Sequence, residues 1–168
     1  MSSLEVVFSV INGLRDAGVV EDYAVGGATA VLFYAEPART YDLGVFVIGR
    51  GVEQHDLAPL SGIYNWARAQ GYATDAEHIL IEGVPVQFLP SYTPLVEESV
   101  REARVLSYGA VPVRVVGPEH LVGLAVQAGG SRRRERAYQL LEQADVDRVR
   151  LRALLNRHGL ATDILDES

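Results

Sequence analysis

The residues best placed to do chemistry are Gly26, Gly27 and Asp42, with Arg39 and Thr40 just before the aspartate. Residues 23–25 read as a short strand, the glycine pair as a turn, residues 28–35 as a helix stopped by Pro37, and residues 41–48 as a buried strand. A glycine pair between strand and helix lets backbone N–H groups come close to a ligand. The helix start that follows, with Ala28 and Thr29, presents free N–H groups and a positive dipole end to an anion such as phosphate. Residues two apart on a strand share a face, so Asp42 and position 44 look into one cleft. A carboxylate at each would hold divalent metal against substrate phosphates. Position 44 is glycine, which offers a metal no side chain.

A second candidate is Arg132-Arg133-Arg134-Glu135-Arg136. Cations in a first helical turn oppose the dipole by a few tenths of a kcal/mol. A phosphate, an RNA or an acidic partner would offset that cost; a solvated helix face is the other reading. The histidines, His55, His78, His120 and His158, form no i, i+4 pair and no ligand cluster in the sequence, so no zinc site is expected. No Gly-x-Ser-x-Gly elbow supports hydrolase chemistry. Trp66 reads as half-buried on its helix, and Tyr92 and Tyr108 as packing residues or as platforms for a base.

Composition narrows the classes. The chain has 168 residues, no cysteine and no lysine, since all 15 basic residues are arginine. Thiolate metal sites, disulfides, a P-loop lysine and a Schiff-base lysine are thereby excluded. A hydrophobic content of 48% and a charged content of 22% are ordinary for a globular domain. No apolar run approaches the roughly 18 residues that span a bilayer. The first residues lack the features of a signal peptide, so a cytoplasmic location is expected and no membrane partner. A net charge of −7 argues against binding nucleic acid over the whole surface, although a local basic patch can still hold phosphate.

The elements that must position these residues follow from periodicity. Residues 4–17 place Leu4, Val7, Phe8, Ile11 and Leu14 on one helical face. Residues 57–70 form a helix with Gly71 after it. Residues 78–81 and 84–89 flank Glu82-Gly83, a hairpin signal. Residues 94–104 read as helical. Residues 105–108 and 111–116 make a second hairpin in which Pro112 suggests an edge strand. From Pro118 the pattern is helical: a helix ended by Gly129-Gly130, another capped by Ser131 with Leu140 and Leu141 inward, and a last one over 147–157 with Val149, Leu151, Leu154 and Leu155 inward. Residues after 162 read as frayed. The organisation is an α/β core over residues 1–117 and a helical C-terminal part over 118–168 packed on it.

The run Ala24-Val25-Gly26-Gly27 followed by Arg39-Thr40-Tyr41-Asp42-Leu43-Gly44 resembles the nucleotidyltransferase fold of the DNA polymerase β-like superfamily. It is most similar to the small bacterial branch with a Gly-Gly turn followed by Arg-x-Thr-x-Asp-x-Asp. The likeness covers roughly residues 20–158. Gly83-Val84-Pro85-Val86-Gln87-Phe88-Leu89-Pro90 stands where that family carries a third acid. Pro118-Glu119-His120-Leu121 and the arginine-rich helix are similar to its helical tail, with Arg134-Glu135 where Lys-Asp is commoner. The resemblance implies a mixed β-sheet flanked by helices. It implies phosphate contacts from Gly26, Gly27, Ala28, Thr29, Arg39, Thr40, Arg133 and Arg134. It also makes Asp42 the catalytic metal ligand for Mg2+ and an NTP.

Two departures bear on activity. Gly44 replaces the second acid, and Gln87 stands where the third is expected. Glutamine is neutral and cannot act as a general base. Glu82 lies too far along its hairpin to replace either, whereas Glu36, Glu53 and Asp56 flank the strand in loops. Three readings follow: a nucleotidyltransferase-like protein with a degenerate metal site that binds nucleotide or phosphate; an active Mg-dependent transferase acting on a small molecule, RNA or protein, as in toxin–antitoxin systems; or a protein-interaction module without ligand.

Overall fold

The computed structural model describes residues 2–35, 43–49 and 58–166. The chain begins with α1 (Ser3–Asp16), β1 (Val20–Gly26), α2 (Gly27–Val31), β2 (Leu43–Gly49) and α3 (Ala58–Ala69). Three strands follow, β3 (Ala73–Asp75), β4 (His78–Ile81) and β5 (Val84–Pro90), and then α4 (Pro94–Arg101), β6 (Arg104–Tyr108) and β7 (Val111–Val115). The last elements are α5 (Pro118–Ala128), α6 (Ser131–Gln143), α7 (Arg148–Arg157) and α8 (Asp163–Asp166). No helix among the described residues is long and apolar enough to cross a membrane.

The strands form one mixed sheet in the order β3-β4-β5-β2-β1-β7-β6. At its centre β2 runs antiparallel to β1 and parallel to β5, and β1 runs parallel to β7. Alternation explains the orientation of β2: Leu43, Val45 and Val47 are buried, while Gly44 and Phe46 face a half-buried space on the other side. In β1, residues 23–26 are all buried, so both faces of that strand are covered.

The helix α1 starts at a capping box: Ser2 accepts the Glu5 N–H, and the Glu5 carboxylate accepts the Ser2 N–H. Its apolar face, Val7, Phe8, Ile11 and Leu14, is fully buried. A polar knot fastens this helix to the sheet. The Tyr23 hydroxyl donates to Asn12 Oδ1 and accepts the Arg114 N–H at 3.1 Å. Asn12 donates to the Pro112 carbonyl at 2.8 Å, and the Arg114 guanidinium pairs with Asp22 at 2.8 Å. A buried phenol is tolerated because both its donor and its acceptor capacity are used. Burial also pushes the Tyr23 hydroxyl above its usual pKa.

Several sequence expectations need correction. The α2 helix ends at Val31, not at residue 35, and the next residues close i→i+3 turns, Leu32 N–H to Thr29 O and Phe33 N–H to Ala30 O, both at 3.1 Å. The strand β3 has three exposed residues and no apolar alternation to announce it. Pro112 lies in an interior strand: β7 pairs with both β6 and β1. The pairing with β1 is confined to Val25 and Val115, so the missing proline N–H opens no gap in that ladder. The cap of α6 is Gly130, with no side-chain bond, and Ser131 is the first helical residue. Val149 is 82% exposed. Residues 163–166 form α8, in which Ile164 and Leu165 are buried.

A second knot joins α4, α5 and α7, and here too the sequence misleads, because it separates the histidines involved. The Glu98 carboxylate accepts three bonds from Arg157 at 2.8, 2.9 and 3.2 Å, meets His120 Nε2 at 2.8 Å and lies 3.3 Å from His158 Nε2. Burial alone would raise the Glu98 carboxyl, but the hydrogen bonds from Arg157 and His120, with His158 close by, outweigh it and bring its pKa to about 2. A depressed carboxylate stabilises the fold above its unfolded pKa, and that contribution fades as pH falls toward the folded value. The Glu98→Gln variant should therefore lose about 1–3 kcal/mol at neutral pH. Its melting temperature should fall less than that of the unaltered protein between about pH 4.5 and pH 2. Parallel curves over that range would show that Glu98 is not the group that titrates.

Candidate functional site

Strand register brings together three positions that lie far apart in the chain. Gly26 pairs with Gly44 and Gly44 pairs with Gln87, so the three stand side by side across β1, β2 and β5. None carries a carboxylate. Asp42, Arg39, Thr40, Glu36, Glu53, Asp56 and His55 lie outside the described residues.

The glycines in this row are there for different physical reasons. A Cβ on Gly26 would collide with Phe46 Cε2, because the Phe46 ring leans from β2 across the end of β1. Gly27 turns the chain from strand into helix at φ +62°, a conformation that side chains with a Cβ seldom adopt. At Gly44, in contrast, a Cβ would meet no described atom closer than the Gly26 carbonyl oxygen at 3.9 Å. The Phe46 ring as placed therefore favours glycine at 26, whereas the described residues leave space for a side chain at 44.

Gly27, Phe46 and Leu89 form one side of a cavity of about 330 Å³. The other walls come from Tyr92, Val96 of α4, Leu121 and Leu124 of α5, and Arg133 and Arg136 of α6. Two of these walls are joined at Thr93. Its hydroxyl caps α4 by accepting the Val96 N–H at 3.2 Å and donates to Gln127 Oε1 of α5 at 3.2 Å. Tyr92 stands at the cavity half exposed, and burial of its other half lifts its hydroxyl above the usual pKa.

The arginines of α6 divide in direction. Arg133 and Arg136 are one turn apart on the same helix face and both reach the cavity. Neither forms an ion pair among the described residues. Burial, and then the neighbouring charge of Arg133, hold Arg136 below the usual arginine pKa. Arg134 turns elsewhere: it pairs with Asp163 at 3.0 Å, and its guanidinium lies 5.6 Å from the centre of the Tyr138 ring. Arg136 thus stands at the cavity where the sequence pointed to Arg134, and the i, i+3 spacing from Arg133 was the available signal. Ala28 opens on an adjoining recess of about 180 Å³ with Arg132 and Arg136, while Thr29 is buried. The first turn of α6 contains no acid, and Glu135, just beyond it, lines the same recess.

An apolar chamber with two unpaired guanidinia suits an anionic group attached to an apolar body. A paired magnesium site does not fit the described residues. Such ions need anionic oxygens, whereas the row offers glycine, glycine and an amide, and the facing helix adds positive charge. Among the described residues one group of His and carboxylate ligands lies close enough for a metal, Glu98, Glu102 and His120. Its charge is already answered by Arg157 at 2.8 Å from Glu98 and Arg150 at 3.7 Å from Glu102.

No protein-family model matches the chain, and no curated protein matches it in sequence. Among solved structures it is similar to an antigenic nucleotidyltransferase-like protein from Paracoccidioides brasiliensis. The identity is 16%, the TM-score 0.55, and the match covers 83% of this chain and 76% of that one. The fold is nucleotidyltransferase-like. In this nucleotidyltransferase-like fold, the glycine turn and two arginines of the C-terminal helices open on the same cavity.

The contact between Phe46 and Gly26 can be tested directly. Gly26→Ala should cost about 1–3 kcal/mol by overpacking, and adding Phe46→Leu should recover part of it. The coupling between the two changes, read from urea unfolding of the double-mutant cycle, should be about 0.5–3 kcal/mol. Strict additivity would show that the ring is not the obstacle.

Proposed function

We propose that this protein binds a nucleotide, or another phosphate-bearing molecule, in the cavity between the glycine turn and α6, and does not transfer nucleotides efficiently. The observation that carries this reading is the pair Arg133 and Arg136: two guanidinia, unpaired among the described residues, in the same cavity as Gly27. Arg133 is exposed and Arg136 half-buried; an unpaired, partly buried charge such as that of Arg136 is costly in a protein that uses it only for packing, and an anionic ligand offsets that cost. The apolar walls accept the base, and the guanidinia take the phosphate. By the family resemblance, Gly26, Gly27, Ala28, Thr29, Arg39 and Thr40 belong to the same binding region, and Asp42 is the remaining metal ligand.

The degenerate metal site follows from Gly44 and Gln87. One carboxylate leaves a two-ion site short of negative charge, and loss of a positioned base alone lowers a rate by about 10²–10⁴-fold. Nucleoside phosphates should raise the melting temperature in proportion to occupancy, and labelled NTP should give no product. Turnover would instead support the active transferase. The absence of any shift with nucleoside mono-, di- and triphosphates would leave the interaction module.

Steric freedom at position 44 provides a separate test. The variant combining Gly44→Asp and Gln87→Asp should fold, because a Cβ at 44 meets only ordinary contact. It should bind manganese more tightly than the unaltered chain in a calorimetric titration. Unchanged manganese affinity would mean that the two positions do not face one cleft.

A further inference from the structure

Building on the nucleotide-binding reading, we infer that the cavity takes a nucleoside phosphate as its metal-free anion, with Arg133 and Arg136 supplying the positive charge that a divalent cation would otherwise bring. Three observations point this way. The first is the donor set. The row Gly26, Gly44 and Gln87 lies on the sheet face that carries Phe46 and Leu89 into the cavity; among the described residues this row offers no anionic oxygen, and magnesium gives up its water reluctantly to anything else.

The second is the field. Arg133 and Arg136 reach the same chamber from one face of α6, near enough for the charge of one to make protonation of the other less favourable. A divalent ion entering that space would meet two fixed cations, and the chamber walls screen less than water does. A nucleotide already carrying magnesium has surrendered part of the negative charge that the guanidinia would grip. A free di- or triphosphate keeps it and offers oxygens to both forks.

The third is the absence of a competing partner. Arg134, Arg150, Arg152 and Arg157 each meet a carboxylate within 3.4 Å. Arg133 and Arg136 do not, among the described residues, so their donors remain available in a cavity where an apolar wall of Phe46, Leu89, Val96 and Leu124 adjoins them. The phosphate end of the ligand therefore lies toward α6 and its apolar end toward the sheet.

The experiment is calorimetric titration of the full chain with the common ribonucleoside diphosphates, once with EDTA and once with excess magnesium. Binding in EDTA should equal or exceed binding in magnesium and should weaken with added salt. Arg133→Gln and Arg136→Gln should each weaken it by about tenfold or more, and their melting temperatures without ligand should be unchanged or higher, since a like-charge neighbour is removed. Tenfold tighter binding in magnesium would overturn the metal-free mode and leave the nucleotide reading standing. Affinity within threefold of the original in both variants would overturn the role of the arginines. No binding under either condition would bring down the nucleotide reading itself.

Discussion

If β2 slipped by one residue against its neighbours, Leu43, Val45 and Val47 would leave the core and Gly44 and Phe46 would enter it. The site depends on that register. It aligns Gly26, Gly44 and Gln87 across three strands, and it sets the Phe46 ring over the one position in β1 that has no Cβ to obstruct it. The ring then forms the cavity wall beside Gly27. Burial of three aliphatic side chains on one face of a seven-residue strand thus determines what the opposite face can present to a ligand.

The facing wall is held differently. The helices α4, α5 and α7 meet at Glu98, whose carboxylate is shared among Arg157, His120 and His158, and Thr93 ties the start of α4 to Gln127. These are polar contacts at defined angles, and they position helices that hydrophobic packing alone would allow to slide. From this framework α6 emerges after Gly129 and Gly130, both at positive φ, a turn that brings Arg133 and Arg136 back over the cavity. Neither a side-chain cap nor a first-turn acid supports α6 at its start. Its stability comes from Ala137, Leu140 and Leu141 in the core, which frees the polar face to carry unbalanced charge.

Much of this was legible in the chain, for physical reasons. A dense apolar run revealed β2, the Glu82-Gly83 turn marked the β4–β5 hairpin, and the glycine pair marked the end of β1, because each is a local rule. What escaped was set by long-range geometry. The three exposed residues of β3 form a strand only because β4 is beside them. Val149 has helical spacing but faces solvent, since the direction of a helix face depends on what lies opposite. His120 and His158 share one carboxylate although they are far apart in sequence. The choice of Arg136 over Arg134 at the cavity is of the same kind: Asp163, in a segment read as frayed, draws Arg134 away.

Gly44 and Gln87 are not equivalent to Gly26 beside them in the row. Gly26 answers to sterics, since any larger residue meets the Phe46 ring, and its presence alone is no sign of a ligand. Among the described residues nothing holds position 44 to glycine: its φ is not positive, and the nearest described atom to an added Cβ would be at ordinary contact distance. Gln87 is likewise half-buried on an open face. The described part of this face thus has room at position 44 for a side chain it does not carry, while α6 brings Arg133 and Arg136 to the neighbouring cavity with no carboxylate partner among the described residues. Sterics fix one member of the row and leave the charge at the others to be set by something besides packing.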